Sequence, residues 1–351
     1  MLILGIESSC DETAAAVVER GVLVRSSVVA SQTELHAEYA GVVPEIASRA
    51  HVEQILPVIR EALAQAGVGL GMIDAVAVGN RPGLIGCLLV GVAAAKALSW
   101  SLSKPLIAVD HVAAHLYSGL LSVDAPAKEP VDVFPALGLV VSGGHTSLYQ
   151  LDQWTRAQKL GGTIDDAIGE AFDKAATILG LPYPGGPNID RLARSAGAND
   201  EAFDFPVSRL NPQSLDFSFS GLKTAVLYAT RGVPNARDAA PVPEMDDARR
   251  RDLAASFQRA AVKAVMIKLG RALERSPGTK RLLIGGGVTA NSRLRSELQT
   301  FARDRGLALD LPAMQFCVDN AAMVAGLAYH LHLAGMHAGL DVQAMPTTAF
   351  R

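Results

Sequence analysis

The sequence predicts an α/β protein of two lobes built on a duplicated unit, and three observations carry that expectation. The chain has 351 residues, and at about 100–200 residues per domain it divides more naturally into two lobes than one. Strand-like and helix-like periodicities alternate through its first third. Finally, LGIESSCDETAAAVV and LGLVVSGGHTSLYQL align without a gap, with Leu4/Leu137, Gly5/Gly138, Ser9/Ser142 and Thr13/Thr146 identical. Each copy reads as strand, small-residue turn, strand, so the repeat is expected to be structural.

The elements follow in order. Leu2–Glu19 reads as two strands around the polar turn Ser8–Thr13, and Val22–Ala30 as a third strand after Gly21. Ile46, Ile55, Leu56, Ile59 and Leu63 recur near the helical period, predicting a helix over Pro44–Ala66. Ile73–Val78 and Leu106–Val109 read as buried strands flanking a core helix, Leu84–Leu102. A Pro/Ala/acid-rich connection, Ser122–Asp132, reads as a boundary. Beyond the second repeat come a helix over Asp165–Leu179, a glycine–proline loop over Leu181–Asn188 and a polar/aromatic loop over Asn211–Leu222. A helix begins near Leu222, Gly232–Asp247 reads as a surface loop, and a long helix covers Arg251–Leu273. The strand Arg281–Ile284, a helix from about Ala290 and a last helix over Asn320–Leu333 complete the chain, whose final dozen residues are expected to fray.

Composition narrows the function classes. With 49% hydrophobic and 19% charged residues the chain is an ordinary globular one, neither disordered nor fibrous. A net charge of -3 does not advertise a nucleic-acid surface. The start, MLILGIESSC, lacks a basic region and meets Glu7 at once, unlike a signal peptide. The uncharged run Pro82–Ala95 is shorter than the roughly 20 residues a membrane span needs. Cys10, Cys87 and Cys317 are scattered, which fits a reducing compartment. A cytoplasmic protein without a membrane is expected.

Asp110-His111-Val112-Ala113-Ala114-His115 follows a predicted strand, and histidines at i and i+4 share one helix face, close enough to ligate one ion, or simply one capping and one packed. A zinc protease of the HExxH type needs a glutamate where this chain has Val112. A third ligand must come from elsewhere; Asp319 is the candidate, although an aspartate before a helix also serves as an N-cap. Ser142-Gly143-Gly144-His145-Thr146 is a tight turn whose glycines let backbone amides face an anion, or simply an ordinary hairpin. Its first-half counterpart carries Asp11 and Glu12; carboxylates repel phosphate, so that turn suits a cation, a proton or a polar substrate. Gly285-Gly286-Gly287 before a helix suits close approach by a nucleotide, but it is not a dinucleotide fingerprint. Asp166, Glu170 and Asp173 are spaced to share a helix face, with Asp173 available to ribose hydroxyls or simply solvated. Arg249–Arg251, Arg293 and Arg295 are candidate nucleic-acid contacts or solubilising charges.

In order along the chain, GIESSCDETAAAVV, GVVPEIASRAHVEQI, PGLIGCLLVG, KPLIAVDHVAAHL, VVSGGHT, GEAFDKAATILGLPYPGGP, DFSFSGLKTAV, GGGVTANSRLR and CVDNAAMVA resemble the TsaD family of tRNA N6-adenosine threonylcarbamoyltransferases, formerly described as O-sialoglycoprotein endopeptidases. Small departures are Asp110 before the first histidine and Ala114 where glycine is common. The resemblance implies the duplicated actin/sugar-kinase/Hsp70-like (ASKHA) fold with an interlobe cleft. We place the lobes at residues 1–110 and 111–321, with 322–351 packing back on the first. It further implies that His111, His115 and Asp319 hold one divalent metal ion, iron or zinc. Val140, Val141, Ser142, Gly143, Gly144, Asp173, Gly186, Asp190 and Asn291 fall at positions that bind the nucleotide-bearing substrate. The implied reaction moves a threonylcarbamoyl group from threonylcarbamoyl-AMP to N6 of the tRNA adenosine 3′ of the anticodon, with Asp11 or Glu12 handling the proton. The implied partners are tRNA, a TsaB-like paralogous subunit and a TsaE-like ATPase. Competing readings are a metalloprotease and an ATP-dependent kinase or ATPase of the same fold.

Overall fold

The sequence repeat is a repeat of topology. The computed structural model describes all residues except 40, 125–132, 208–209, 212, 233, 235–242 and 350–351. Most of the expected boundary Ser122–Asp132 and much of the expected surface loop Gly232–Asp247 therefore lie outside the described residues. The first unit runs β1 (Leu2–Glu7), β2 (Glu12–Glu19), β3 (Leu23–Ser31), α1 (Thr33–Ala37), α2 (Pro44–Ala66), β4 (Ala75–Arg81), α3 (Ile85–Leu102), β5 (Leu106–Asp110) and α4 (His111–Tyr117). The second runs β6 (Ala136–Val141), β7 (Thr146–Gln153), β8 (Arg156–Gly162), α5 (Ile168–Ile178), α6 (Gly185–Ala193), α7 (Ser220–Arg231), α8 (Asp247–Arg275), β9 (Arg281–Gly285), α9 (Ser292–Asp304), β10 (Ala308–Asp310) and α10 (Ala321–Leu333).

The sheets are ordered β3-β2-β1-β4-β5 and β10-β9-β6-β7-β8, the same order once the units are matched. In each, the first three strands are antiparallel and the last two join in parallel. Even the hairpin register agrees: Glu7 faces Ala14 and Val140 faces Ser147, the same pairing in the aligned sequences.

The helix that closes each unit crosses to the other sheet. α10 packs on β1 and β2, whereas α4 packs against β9 and β6. The repeated glycines make room for them. A Cβ on Gly5 would meet Ala325 Cβ of α10 at 2.9 Å, and one on Gly138 would meet the Leu116 methyls of α4 at 2.9 Å. The two crossing helices share a central core with both sheets, including Val109, Val112, Leu116, Val140 and Ala325. Separate cores bind α2 and α3 to the first sheet and α5, α7 and α8 to the second. Burying these faces is the main stabilising term. The crossing also brings the N-termini of α4 and α10 together between the sheets.

Some expected elements differ. α6 occupies part of the expected glycine–proline loop, because Pro184 stands at its N-cap and Pro187 in its first turn, where a missing N–H costs nothing. Polar edge strand β8 and the three-residue β10 carry too little hydrophobic pattern to be read. α5 starts at Ile168, so Asp166 precedes it; it does not share a helical face with Asp173, and it binds Lys174 at 2.6 Å. α3 is a core helix on one face only: Leu88, Val92 and Ala95 are buried while Ile85, Leu89 and Trp100 are exposed, and by length and composition alone it could cross a membrane. The tail does not fray away from the fold. Asn80 Nδ2 donates to Gln343 O, Met345 N donates to Asn80 O, and Thr348 Oγ1 donates to Asp110 Oδ2 at 2.7 Å.

Candidate active site

Two cavities meet between the sheets. The larger, about 570 Å³, is lined by Asp173, Gly186, Asp190, Asn291, Phe172 and Arg295 among others. The smaller, about 360 Å³, is lined by Asp11, Glu12, Ser142, Gly144, His145, His111 and Asp319 among others. Gly143 and Gly287 line both, so these two glycine turns form the shared wall.

The metal triad is assembled by the crossing helices. Asp110 Oδ1 accepts from the N–H groups of Val112 and Ala113, capping α4 and fixing His111 in its first turn. At α10 the cap is Asn320, whose side chain accepts from Met323 N, so Asp319 is not used as a cap. Its carboxylate instead turns to the histidines: Oδ1 lies 3.4 Å from His111 Nε2 and 3.0 Å from His115 Nε2. One ligand atom from each of the three residues lies within 4.8 Å of the others. His115 is fully buried, yet neither ring nitrogen has a hydrogen-bond partner; its contact with Asp319 lacks hydrogen-bond angles. A buried imidazole left unsatisfied beside a carboxylate is costly without a further partner, and a two-nitrogen, one-oxygen donor set fits a metal ion. The triad can therefore hold a metal.

Charges around it are strongly coupled. Burial disfavours the charged form of His111, but Asp319 and Glu7 hold the imidazole well above its usual value. Burial and then the charge on His111 push His115 down. Burial would raise the Asp319 carboxyl, yet His111 and His115 hold it well below the usual carboxylate range. Burial, Asp319 and Asp11 push Glu12 up to about 10, leaving it protonated at neutral pH. Burial, aided by the charges of Asp11 and Asp319, drives the Cys10 thiol far up, so it is no thiolate nucleophile. Burial and then His111 push His145 down to about 4.

The acidic turn is pinned from α2. His51 Nε2 donates to Cys10 O at 3.0 Å, which leaves Nδ1 to accept from Thr13 Oγ1 at 2.7 Å. In the second hairpin Thr146 Oγ1 accepts from Ile168 N, and Ser142 Oγ accepts from His145 N. A Cβ added at Gly143 or Gly144 meets nothing within 4 Å, so both faces are open to the cavity.

The nucleotide-side residues are partly engaged already. Asp173 Oδ1 accepts from Gly185 N at 2.7 Å, capping α6. Asp190 Oδ1 accepts from Ser292 Oγ at 2.6 Å. Asn291 caps α9 through Leu294 N and donates to Gln258 Oε1. Val140 and Val141 are fully buried in core clusters and line neither cavity. Arg249 donates to Ala229 O and Arg250 to Leu179 O and Asp247. Arg293 pairs with Asp200 and Glu297, and Arg295 donates to Thr289 O and Pro312 O. Four of the five candidate arginines are thus engaged within the fold, and the Nε of the fifth, Arg251, is buried without a hydrogen-bond partner.

Sequence reasoning missed Glu7 and His145. Glu7 is fully buried, with Oε2 3.1 Å from His111 Nδ1. The legible signal was a carboxylate ending the apolar run LILGI.

Fold and site together define a two-lobed α/β enzyme with a nucleotide-sized cavity opening onto an acidic one whose His111, His115 and Asp319 could hold a metal. Residues 23–326 match the family TsaD, tRNA N6-adenosine threonylcarbamoyltransferase, and the chain belongs to that family. It is 51% identical over 346 residues to the enzyme of that name from Symbiobacterium thermophilum, covering 98% of this chain and 96% of the relative. It is 53% identical over 331 residues to the one from Trichlorobacter lovleyi, covering 94% and 92%. Among solved structures, T. kodakarensis HypF superposes with a TM-score of 0.58 at 17% identity, covering 95% of this chain and 48% of HypF. Component A of the Acidaminococcus fermentans (R)-2-hydroxyglutaryl-CoA dehydratase superposes with a TM-score of 0.50 at 15% identity, covering 94% and 98%. These likenesses place the chain in the actin-like ASKHA fold. Its family activity is that of a transferase in tRNA modification.

Proposed function

We propose that the chain transfers threonylcarbamoyl from threonylcarbamoyl-AMP to N6 of the tRNA adenosine 3′ of the anticodon, with the donor lying across both cavities. The observation that carries this reading is the shared wall at Gly143 and Gly287, which joins a nucleotide-sized space to an acyl-sized one. Adenosine occupies the larger cavity beside Asp173, Gly186, Asp190 and Asn291. The phosphate lies against the turn of Ser142, Gly143 and Gly144, where the space a Cβ would take at either glycine is empty. The acyl end enters the smaller cavity.

His111, His115 and Asp319 hold one divalent ion there, iron or zinc, which when bound supplies Lewis-acid polarisation of an acyl carbonyl and a site for the threonine carboxylate. The chain's own residues do the rest. The N6 amine attacks the carbonyl carbon; the carbon–oxygen bond to phosphate breaks and AMP leaves with that electron pair. The amine proton passes to Asp11, which lines the smaller cavity beside Glu12. Holding a weak nucleophile against an activated carbonyl supplies much of the acceleration. Support for a TsaB-like partner comes from Val52, Leu56, Ile85, Leu89 and Trp100, all exposed on α2 and α3. A TsaE-like ATPase follows from the family resemblance, and a cytoplasmic location from the tRNA substrate.

The test is reconstitution: this chain, its partners, threonylcarbamoyl-AMP and unmodified tRNA. The threonylcarbamoylated nucleoside is expected, and chelation should remove it. Asp11→Asn should retain donor binding and lower transfer by about 10²- to 10⁴-fold. No modified nucleoside in the complete mixture would overturn the assignment, and full transfer by Asp11→Asn would remove that residue's role.

A further inference from the structure

We propose that Glu7 is a positioning residue that orients His111 from behind, so that Nε2 faces Asp319 and the ion. The inference rests on the metal-triad reading above.

The duplicated fold supplies the control. Glu7 ends β1 and its aligned twin Val140 stands at the same register of the second hairpin. Both are fully buried. The twin shows that this backbone needs only an apolar side chain there, so the carboxylate answers to something other than the fold. A buried carboxylate is retained where it is paired. Here both oxygens are: Oε1 accepts from Ser9 N at 2.6 Å, and Oε2 lies 3.1 Å from His111 Nδ1. Ser9 Oγ, 3.3 Å away, is the other polar neighbour of that nitrogen.

The neighbouring strand leaves room for it. A Cβ on Gly79, the residue after Val78 in β4, would stand 2.5 Å from Glu7 Oε2, so a larger residue there would displace the carboxylate. With Nδ1 turned to Glu7, Nε2 is the nitrogen that faces Asp319, 3.4 Å away, and the one an arriving ion would take in place of its proton. His115 has no such support, since its Nδ1 has no hydrogen-bond partner. The two histidines are therefore unequal: one is held from behind by a carboxylate before any ion arrives, while the Nδ1 of the other has no such partner.

Titration of the intact protein with Co²⁺, read by visible absorption, tests this. Wild type should bind and His115→Ala should not. Glu7→Gln keeps the shape and an acceptor for Ser9, and Glu7→Val copies the twin. Both should weaken binding by about 10- to 100-fold and shift the absorption bands, Glu7→Val more than Glu7→Gln. Wild-type affinity and bands in both variants, with His115→Ala unable to bind, would overturn the role of Glu7 alone. Binding that His115→Ala leaves intact would overturn the triad, and the role of Glu7 with it.

Discussion

The hairpins β1–β2 and β6–β7 have one backbone and two chemistries. Their registers coincide, each places a serine and a threonine at the same points of its turn, and each threonine hydroxyl ties the turn to a neighbouring helix. Between those anchors the first turn presents Asp11 and Glu12, and the second presents Gly143, Gly144 and His145. A carboxylate-lined turn beside a histidine–aspartate triad favours cations and protons; a glycine turn with open faces favours an anion. Duplication thus supplied two equivalent cavity-facing corners, and on the function proposed above their side chains divide the labour between donor phosphate and acyl transfer.

Glu12 and His145 occupy equivalent positions and sharpen the comparison most. Burial leads in both cases, pushing Glu12 up to about 10 and His145 down to about 4, so both are neutral near pH 7. Their linkage signs are opposite. Between pH 4 and 6.5 the unfolded chain binds the His145 proton and the folded chain does not, so stability rises with pH. Above pH 4.5 and up to about 10 the folded chain keeps the Glu12 proton that the unfolded chain has lost, so stability falls as pH rises. In metal-free protein, His145→Gln should flatten the acid limb by on the order of 3 kcal/mol, and Glu12→Gln the alkaline limb. Urea midpoints across pH 4–9 measure both; unchanged limbs would show that the two positions are not buried equivalents.

A smaller effect separates open glycines from packed ones. Gly143→Ala meets nothing within 4 Å and should leave stability within about 0.5 kcal/mol, while weakening AMP binding up to about tenfold. Gly169→Ala would place its Cβ 2.7 Å from Ser142 O and should cost about 1–3 kcal/mol. Thermal melts with calorimetric AMP titration check the pair. Normal AMP affinity in Gly143→Ala would remove that turn from the phosphate site.

The halves of the site differed in legibility for physical reasons. The histidine pair could be read because helix spacing alone puts both on one face. Asp319 could not be settled by sequence, since an aspartate before a helix caps as readily as it ligates; the side chain of Asn320 takes the cap, which leaves the Asp319 carboxylate to face the histidines. Glu7 was hidden because its partner His111 is distant in sequence and the strand around it is apolar. α6 was hidden because glycine and proline mask a helix whose first N–H is capped by Asp173 from another helix. The fold class was legible because it rests on local periodicity and a repeat; the exchange of α4 and α10 between sheets is tertiary and leaves no local pattern.

The division of labour between the hairpins is tested most directly by a crystal structure of the metal-loaded chain with a stable threonylcarbamoyl-adenylate analogue. The account predicts adenine in the cavity of Asp173 and Asn291, phosphate against Gly143 and Gly144, and the threonyl end beside His111 and Asp319. Phosphate bound against Asp11 and Glu12, or the threonyl end in the larger cavity, would contradict it.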